Sequence, residues 1–322
     1  MGYEWSFAVP EEVGMDSKIL EEIDHYIHIN RYRLVRSVLV VKEDQLVIER
    51  YFNGCNENSR HQIHSVTKSF VSTAVGISIK QGIITNIEIP LAEVIPEHFG
   101  GQKNPLHRYI TLKNLLTMSS GIYWNNGIHF HNPIRPRVEL SNNWLDMLSD
   151  FYMTDYPGTK FYYKEPDVCL VWEIIKRLSG RETYDILKEH LYEPLGFSVE
   201  PWVYVMDGSN KNSAGKEITE EAGWLCARDM AKLGLLYLHK GKYKEKIILS
   251  ENYVEEATTP YLEDYGYFWW KIEGGFRAIG VGGQEINVFP KLNMVVVIQA
   301  EASPQNKFYS GILWDVILKS LK

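Results

Sequence analysis

The chain has 322 residues, 45% of them hydrophobic and 23% charged, with a formal net charge of −7. That size supports one large domain or two ordinary ones around a sizeable buried core. The negative balance argues against a broad nucleic-acid footprint, and no run of about 18 apolar residues predicts a membrane span.

The opening "MGYEWSFAVPEEVGMDSKIL" lacks the basic-then-apolar layout of a secretory leader, so a cytoplasmic protein is expected. The stretch continues as "MDSKILEEIDHYIHINR". Here Ile19, Leu20, Ile23, Tyr26 and Ile27 recur at helical spacing behind Asp16 or Ser17, either of which can serve as N-cap. "SVLVVKEDQLVIERYFNG" places two apolar runs around "KEDQ" and predicts a β-hairpin. In "HSVTKSFVSTAVGISIKQG", Val66, Phe70, Val71, Ala74, Val75 and Ile79 form an apolar helical stripe, and Gly82 supplies a stop.

Residues from about 84 to 221 show no repeated strand pattern. "TLKNLLTMSSGI", "NWLDMLSDFYM" and "CLVWEIIKRLSG" have helical period, so this part reads as an all-helical insertion. Beyond it, "ARDMAKLGLLYLHKG" predicts an amphipathic helix. "FRAIGVGGQEINVFP" and "NMVVVIQAE" predict strands separated by a turn at "PKLN", and "SGILWDVILKSLK" predicts a closing helix. A helix at each end, with strands beside it, implies that both termini pack on one sheet. The expected fold class is α/β (α+β): a single domain over 1–322 with a central antiparallel sheet flanked by helices. Its sheet-bearing part covers about 1–83 and 222–322, and the helical insertion covers about 84–221.

Three stretches carry candidate chemistry. Ser65 and Lys68 lie three apart, sharing a face where a helix begins. Ser65 would feel the positive helix end. Lys68, among Val66, Phe70 and Val71, would be partly desolvated and able to take a proton from the serine. On its own the pair reads as an N-cap serine followed by a solvated lysine. Tyr163, at the loop-to-helix junction in "PGTKFYYKEPDVCLVWEIIKRLSG", reads either as a packed ring or as a general base; Tyr162 is its rival. The glycines of "GVGGQ", from Gly280 to Gln284, read either as a strand kink or as a close backbone approach beside an oxyanion hole.

Other signals are weaker. Cys55, Cys169 and Cys226 form no CxxC pair, which predicts neither disulfides nor zinc, and they read as small buried residues. His129 and His131 in "NGIHFHNP" are weak evidence for a metal, and none is expected. "WNNGIHFHNP" and "YGYFWW" read as cleft walls or as core. No cofactor is implied.

Taken together, these stretches resemble the penicillin-recognising serine hydrolases, the superfamily of class C β-lactamases, DD-peptidases and their esterase and amidase relatives. "HSVTKSFVSTAVGISIKQGII" resembles the family's nucleophile helix and "ITLKNLLTMSSGI" the segment after it. "PGTKFYYKEPDVCLVWEIIKRLSG" is similar to the Tyr-box segment, and "AGWLCARDMAKLGLLYLHKGKYKEKIILSENYVEEATTP" and "GVGGQEINVFPKLNMVVVI" to the C-terminal part. The resemblance covers nearly the whole chain. It implies a β-lactamase/transpeptidase-like fold, Ser65 as nucleophile, Lys68 as the lysine that helps deprotonate it, and Tyr163 as the base. It also implies an oxyanion hole from the N–H of Ser65 and of the third-box strand, which aligns with Gly280, Val281 and Gly282.

The departures narrow the expectation. The family's Tyr-x-Asn box reads Tyr163-Lys164-Glu165, so a carboxylate replaces the substrate-binding amide. Glu165 has three options: Lys68, Lys164, or pointing away. No Lys-Thr-Gly or His-x-Gly triplet precedes "GVGGQ". Loss of that lysine argues against a good β-lactamase or carboxypeptidase. "GVGGQ" and Asp167 resemble the branch that holds 6-aminohexanoate-dimer hydrolase. There the helical insertion sets the substrate, and in this chain it carries Trp124, His129, Phe130 and His131. The expected function is a serine hydrolase acting on a small ester or amide. Its rivals are a weak β-lactamase or D-amino-acid peptidase, and a non-catalytic ligand sensor.

Overall fold

Two apolar runs, each feeding side chains to both faces of a sheet, form the centre of the molecule, a computed structural model that describes residues 4–125, 134, 141, 143–198, 224–302 and 308–322. The strands in chain order are β1 (Ser6–Phe7), β2 (Val35–Lys42), β3 (Gln45–Tyr51), β4 (His61–Gln62), β5 (Trp224–Leu225), β6 (Lys242–Tyr243) and β7 (Lys246–Ile247). They continue as β8 (Trp270–Ile272), β9 (Gly275–Gly280), β10 (Gln284–Phe289) and β11 (Met294–Ala300). Val38 and Val40 of β2 join Val296 and Ile298 of β11 in one core. Leu39 and Val41 join Val295 and Val297 in the other. Successive residues point to opposite faces, so strands covered on both sides read as unbroken apolar runs.

The main sheet has the order β1-β3-β2-β11-β10-β9-β8. Every pair is antiparallel except β1 with β3, which is parallel, so the expected antiparallel sheet is mixed at one edge. The β2–β3 hairpin turns on Glu43 and Asp44, with φ of 53° and 62°. Two left-handed residues match the twist of the strands they join. The stretch expected as one strand from "FRAIG" to "NVFP" is two. Gly282 and Gly283 adopt φ of 86° and 92° and turn the chain back, so that Gln284 pairs with Gly280.

Helix α1 (Ser17–Ile29) is capped by Asp16, whose carboxylate accepts the Lys18 N–H, which decides between the two candidate caps. It buries Leu20 and Ile23 in the core that also takes Ile312, Leu313, Val316 and Ile317 from the C-terminal segment. The Tyr26 hydroxyl donates to Asp315 at 2.6 Å and ties the two ends of the chain together on one sheet face. The closing helix is shorter than expected: a wide helical turn over Ile312–Ile317 runs into a tight one over Leu318–Ser320.

The core on the other side gathers α2 (Thr67–Lys80) and, later in the chain, α3 (Glu165–Ser179), α4 (Ala227–Leu238) and α5 (Glu251–Thr258); α4 packs on the strands, and α3 and α5 pack on α2. Gly234 in α4 permits close approach to the sheet, since a Cβ there would meet Val295 Cγ1 at 2.6 Å. The stripe expected on α2 is instead burial all round, from Thr67 through Ser78. Its hydroxyls survive burial because each finds a partner: Ser69 donates to the Phe268 carbonyl and Thr73 to that of Ser69, while Ser72 meets the Tyr253 hydroxyl. Among the described residues, no helix is long and apolar enough to cross a membrane, and no group of His, Cys, Asp and Glu is placed to hold a metal ion. Cys169 and Cys226 are buried, whereas Cys55 is half-buried, so the expected burial holds for two of the three.

His107 packs on the Phe99 ring at 5.1 Å, fully buried, and neither ring nitrogen has a hydrogen-bond partner. Burial, and secondarily the Lys103 charge, hold its pKa below the ordinary value. Below about pH 6.5 the unfolded chain binds a proton there that the folded chain refuses. Stability is therefore expected to fall on acidification from that pH, by at most about 1.4 kcal/mol per pH unit from this group. Urea midpoints at pH 7, 6 and 5 test this, and His107→Phe should flatten the dependence.

Candidate active site

The chain reaches Ser65 through the short pair β4–β5, then makes one tight turn, His64–Val66, before α2 begins at Thr67. Ser65 thus lies just ahead of the α-helix rather than within it. His64 has φ of 47°. A left-handed non-glycine residue costs roughly 1–2 kcal/mol, so the surroundings must enforce it. One enforcing contact is the end of β9. A Cβ on Gly280 would lie 2.4 Å from the Ile63 carbonyl oxygen and 3.1 Å from the Ser65 nitrogen. The close backbone approach expected at this glycine is real, but the approaching group is the serine turn of the same chain.

Lys68 is one turn along, with 2% of its surface exposed, and its Nζ donates to Ser65 Oγ at 2.8 Å. Tyr163 closes the other side. Its ring centroid is 4.9 Å from Lys68 Nζ, and it stacks on Trp270 at 5.9 Å and meets Tyr265 edge-on at 6.1 Å. Tyr162 is 47% exposed, so of the two tyrosines only Tyr163 faces the Ser65–Lys68 pair. Of the remaining candidates, Val281 and Gly282 lie in the β9–β10 turn. Gly282 rests against Ala302, where a Cβ would meet Cα at 2.6 Å.

Glu165 takes none of its expected cationic partners. Its Oε2 accepts from Trp124 Nε1 at 3.1 Å, and it makes no ion pair with Lys68 or Lys164. Lys164 instead turns inward, 1% exposed, donating to the Ile122 carbonyl at 2.9 Å and standing 3.9 Å from Asp167. Asp167 is fully buried and accepts from the Ser120 hydroxyl at 2.6 Å and the Ser120 N–H at 3.4 Å. Burial pushes the Asp167 carboxyl up to about 6, against the opposing pull of Lys164 and Ser120. Burial likewise pushes Lys164 down.

Sequence reasoning left the "YGYFWW" stretch undivided between cleft and core. The structure divides it: Trp269 is 1% exposed and in the core, while the half-buried Trp270 lies against Tyr163. It missed Ser120, which nothing in the local pattern distinguishes from Ser119. His129, Phe130 and His131 lie outside the described residues.

The sequence profile of the family described as Beta-lactamase matches residues 33–314. The chain belongs to the beta-lactamase family. Among curated relatives, the 6-aminohexanoate-dimer hydrolase of Paenarthrobacter ureafaciens is 24% identical over 317 residues, covering 86% of this chain and 76% of the relative. Among solved structures, a putative beta-lactamase from Bacteroides dorei superposes with a TM-score of 0.76 at 17% identity, over 95% of this chain and 99% of its own. A family VIII carboxylesterase superposes with a TM-score of 0.68 at 14% identity, over 94% and 96% of the two chains. The likenesses to solved structures establish the fold. This member of the beta-lactamase family therefore belongs to a hydrolase family that has esterase and aminohexanoate-dimer hydrolase relatives.

Proposed function

We propose that the protein is a serine hydrolase that cleaves a small ester or amide through an acyl-enzyme on Ser65. The observation that carries this reading is the 2.8 Å hydrogen bond from the buried Lys68 Nζ to Ser65 Oγ. A lysine held in a buried helix beside a half-exposed serine has little structural use. Lys68 helps to deprotonate Ser65, and Tyr163, whose ring centroid lies 4.9 Å from Nζ, takes the Oγ proton as Oγ attacks the carbonyl carbon. The tetrahedral oxyanion is held by the N–H groups of Ser65 and of a residue in the Gly280-Val281-Gly282 stretch. Tyr163 returns the proton to the leaving oxygen or nitrogen, and a water then releases the acid by the same route.

Substrate choice follows from the altered boxes. The Gly280-Val281-Gly282 stretch carries no cation for a substrate carboxylate, and Glu165 with Trp124 puts a carboxylate where the family has an amide. Both features disfavour β-lactams and C-terminal peptide carboxylates. The carboxylesterase and aminohexanoate-dimer hydrolase relatives agree with this direction.

The test is covalent labelling. A fluorophosphonate probe is expected to label one residue, found by peptide mapping at Ser65. p-Nitrophenyl butyrate should be turned over much faster than nitrocefin. Absence of labelling, with no ester turnover, would make the protein a binding module. Nitrocefin turnover exceeding that of the ester would make it a β-lactamase.

A further inference from the structure

We infer that the buried Lys164–Asp167 pair, anchored on Ser120 and Ile122, is the device that holds the Tyr163 ring against Lys68. This rests on the reading of Tyr163 as the acid/base group. Tyr163 itself stands on an extended, loop-borne stretch, and such a stretch has no intrinsic rigidity. The segment Met118–Trp124 runs beside it and grips it on both sides. The Tyr162 N–H donates to the Met118 carbonyl at 2.9 Å, Lys164 Nζ to the Ile122 carbonyl at 2.9 Å, and Trp124 Nε1 to Glu165 at 3.1 Å. Three positions flanking Tyr163 are thus each tied to one neighbouring strand of chain, and the Tyr163 side chain is left facing the nucleophile turn.

Adjacent side chains on extended backbone point opposite ways, so Tyr163 and Lys164 face opposite sides of the junction. Tyr163 lies against Lys68, while Lys164, 1% exposed, points inward. An inward lysine has one stable arrangement here, with its ammonium on the Ile122 carbonyl and facing Asp167. That fixes the register of the junction to a single value. A leucine or methionine at 164 would be buried at less desolvation cost, yet could slide along the groove. Buried ion pairs of this kind stabilise weakly and specify strongly in the best-attested cases. The other charged and titratable groups around the pair are Glu165 from the same junction, Asp155 facing Lys164, and Tyr265, whose hydroxyl feels Asp167.

The experiment compares Asp167→Asn and Lys164→Met with wild type, using p-nitrophenyl butyrate and counting active sites with the fluorophosphonate. Asp167→Asn keeps the shape and the Ser120 contact and removes the charge. Both variants are expected to lower kcat per titrated site tenfold to a hundredfold, with KM changed less than threefold. In wild type, kcat should also decline as the pH drops through about 6, where Asp167 takes up a proton, and Asp167→Asn should lose that limb. Ser120→Ala, a milder change that leaves both charges, should lower kcat several-fold and serves if the charge variants do not fold. Wild-type kcat per site in the folded variants would overturn the inference, because a purely structural pair changes only the active fraction or the melting temperature. Tyr163→Phe separates the two readings. If it keeps full activity, the role of Tyr163 is wrong. If it is inactive while Asp167→Asn is not, only the anchor is wrong.

Discussion

Ser65→Ala is expected to lower kcat for p-nitrophenyl butyrate by about 10,000-fold or more, and Lys68→Met by about 1,000-fold, with little change in KM. On the proposed mechanism Ser65 and Lys68 act as a unit, so the double variant should be no slower than Ser65→Ala alone. The reason is local. Oγ has a hydrogen bond from Nζ at 2.8 Å, and the same Nζ lies 4.9 Å from the Tyr163 ring centroid, so the Lys68 variant removes the group that faces both. Methionine fits the buried stem of Lys68 and removes only the ammonium. Removing a desolvated charge from a site 2% exposed should leave the melting temperature unchanged or higher. Steady-state kinetics and a thermal melt on each variant check both statements. Residual turnover within tenfold of wild type in Ser65→Ala would mean that another group attacks the carbonyl.

What the sequence made legible is what local periodicity encodes. The α2 helix itself, the β2–β3 hairpin and the helix behind Tyr163 all have a repeating pattern that the folded chain keeps, although α2 is buried all round rather than on one stripe. Asp16 as cap and Tyr163 over Tyr162 could be ranked only loosely from spacing, because each choice depends on which neighbour arrives from elsewhere. The division of "FRAIGVGGQEINVFP" into two strands was hidden for a related reason. Glycines allow both a kinked strand and a turn, and the choice falls to the pairing of Gln284 with Gly280. Ser120, Ile122 and the inward turn of Lys164 are contacts across about 45 residues of chain, and a single sequence carries no trace of them. His64 is the least readable position. Nothing about a histidine announces a φ of 47°; the strain is imposed by β4, β9 and the start of α2 meeting at one point.

That meeting point makes Gly280→Ala the second large effect. The new Cβ would fall 2.4 Å from the Ile63 carbonyl oxygen, which already accepts the Val66 N–H at 3.1 Å and so belongs to the serine turn itself. No flexible side chain is there to yield, so backbone must move, and what moves carries Ser65. The expected loss is about 2–3 kcal/mol of stability, in the range of overpacked core sites. Because the shift acts on Oγ and on the N–H groups beside it, kcat per titrated site should also fall by about a hundredfold or more. Gly274→Ala is the control. Gly274, in the turn before β9, has a positive φ of 73°, unlike Gly280, but its Cβ would meet only Phe289 Cδ1 at 3.7 Å. It should cost about 1 kcal/mol through backbone strain alone and leave kcat per site intact. If Gly280→Ala loses stability in the same modest way and keeps its turnover, the β9 end does not shape the serine turn. If it loses turnover out of proportion to stability, the glycine is there because the nucleophile's backbone occupies the space a side chain would fill.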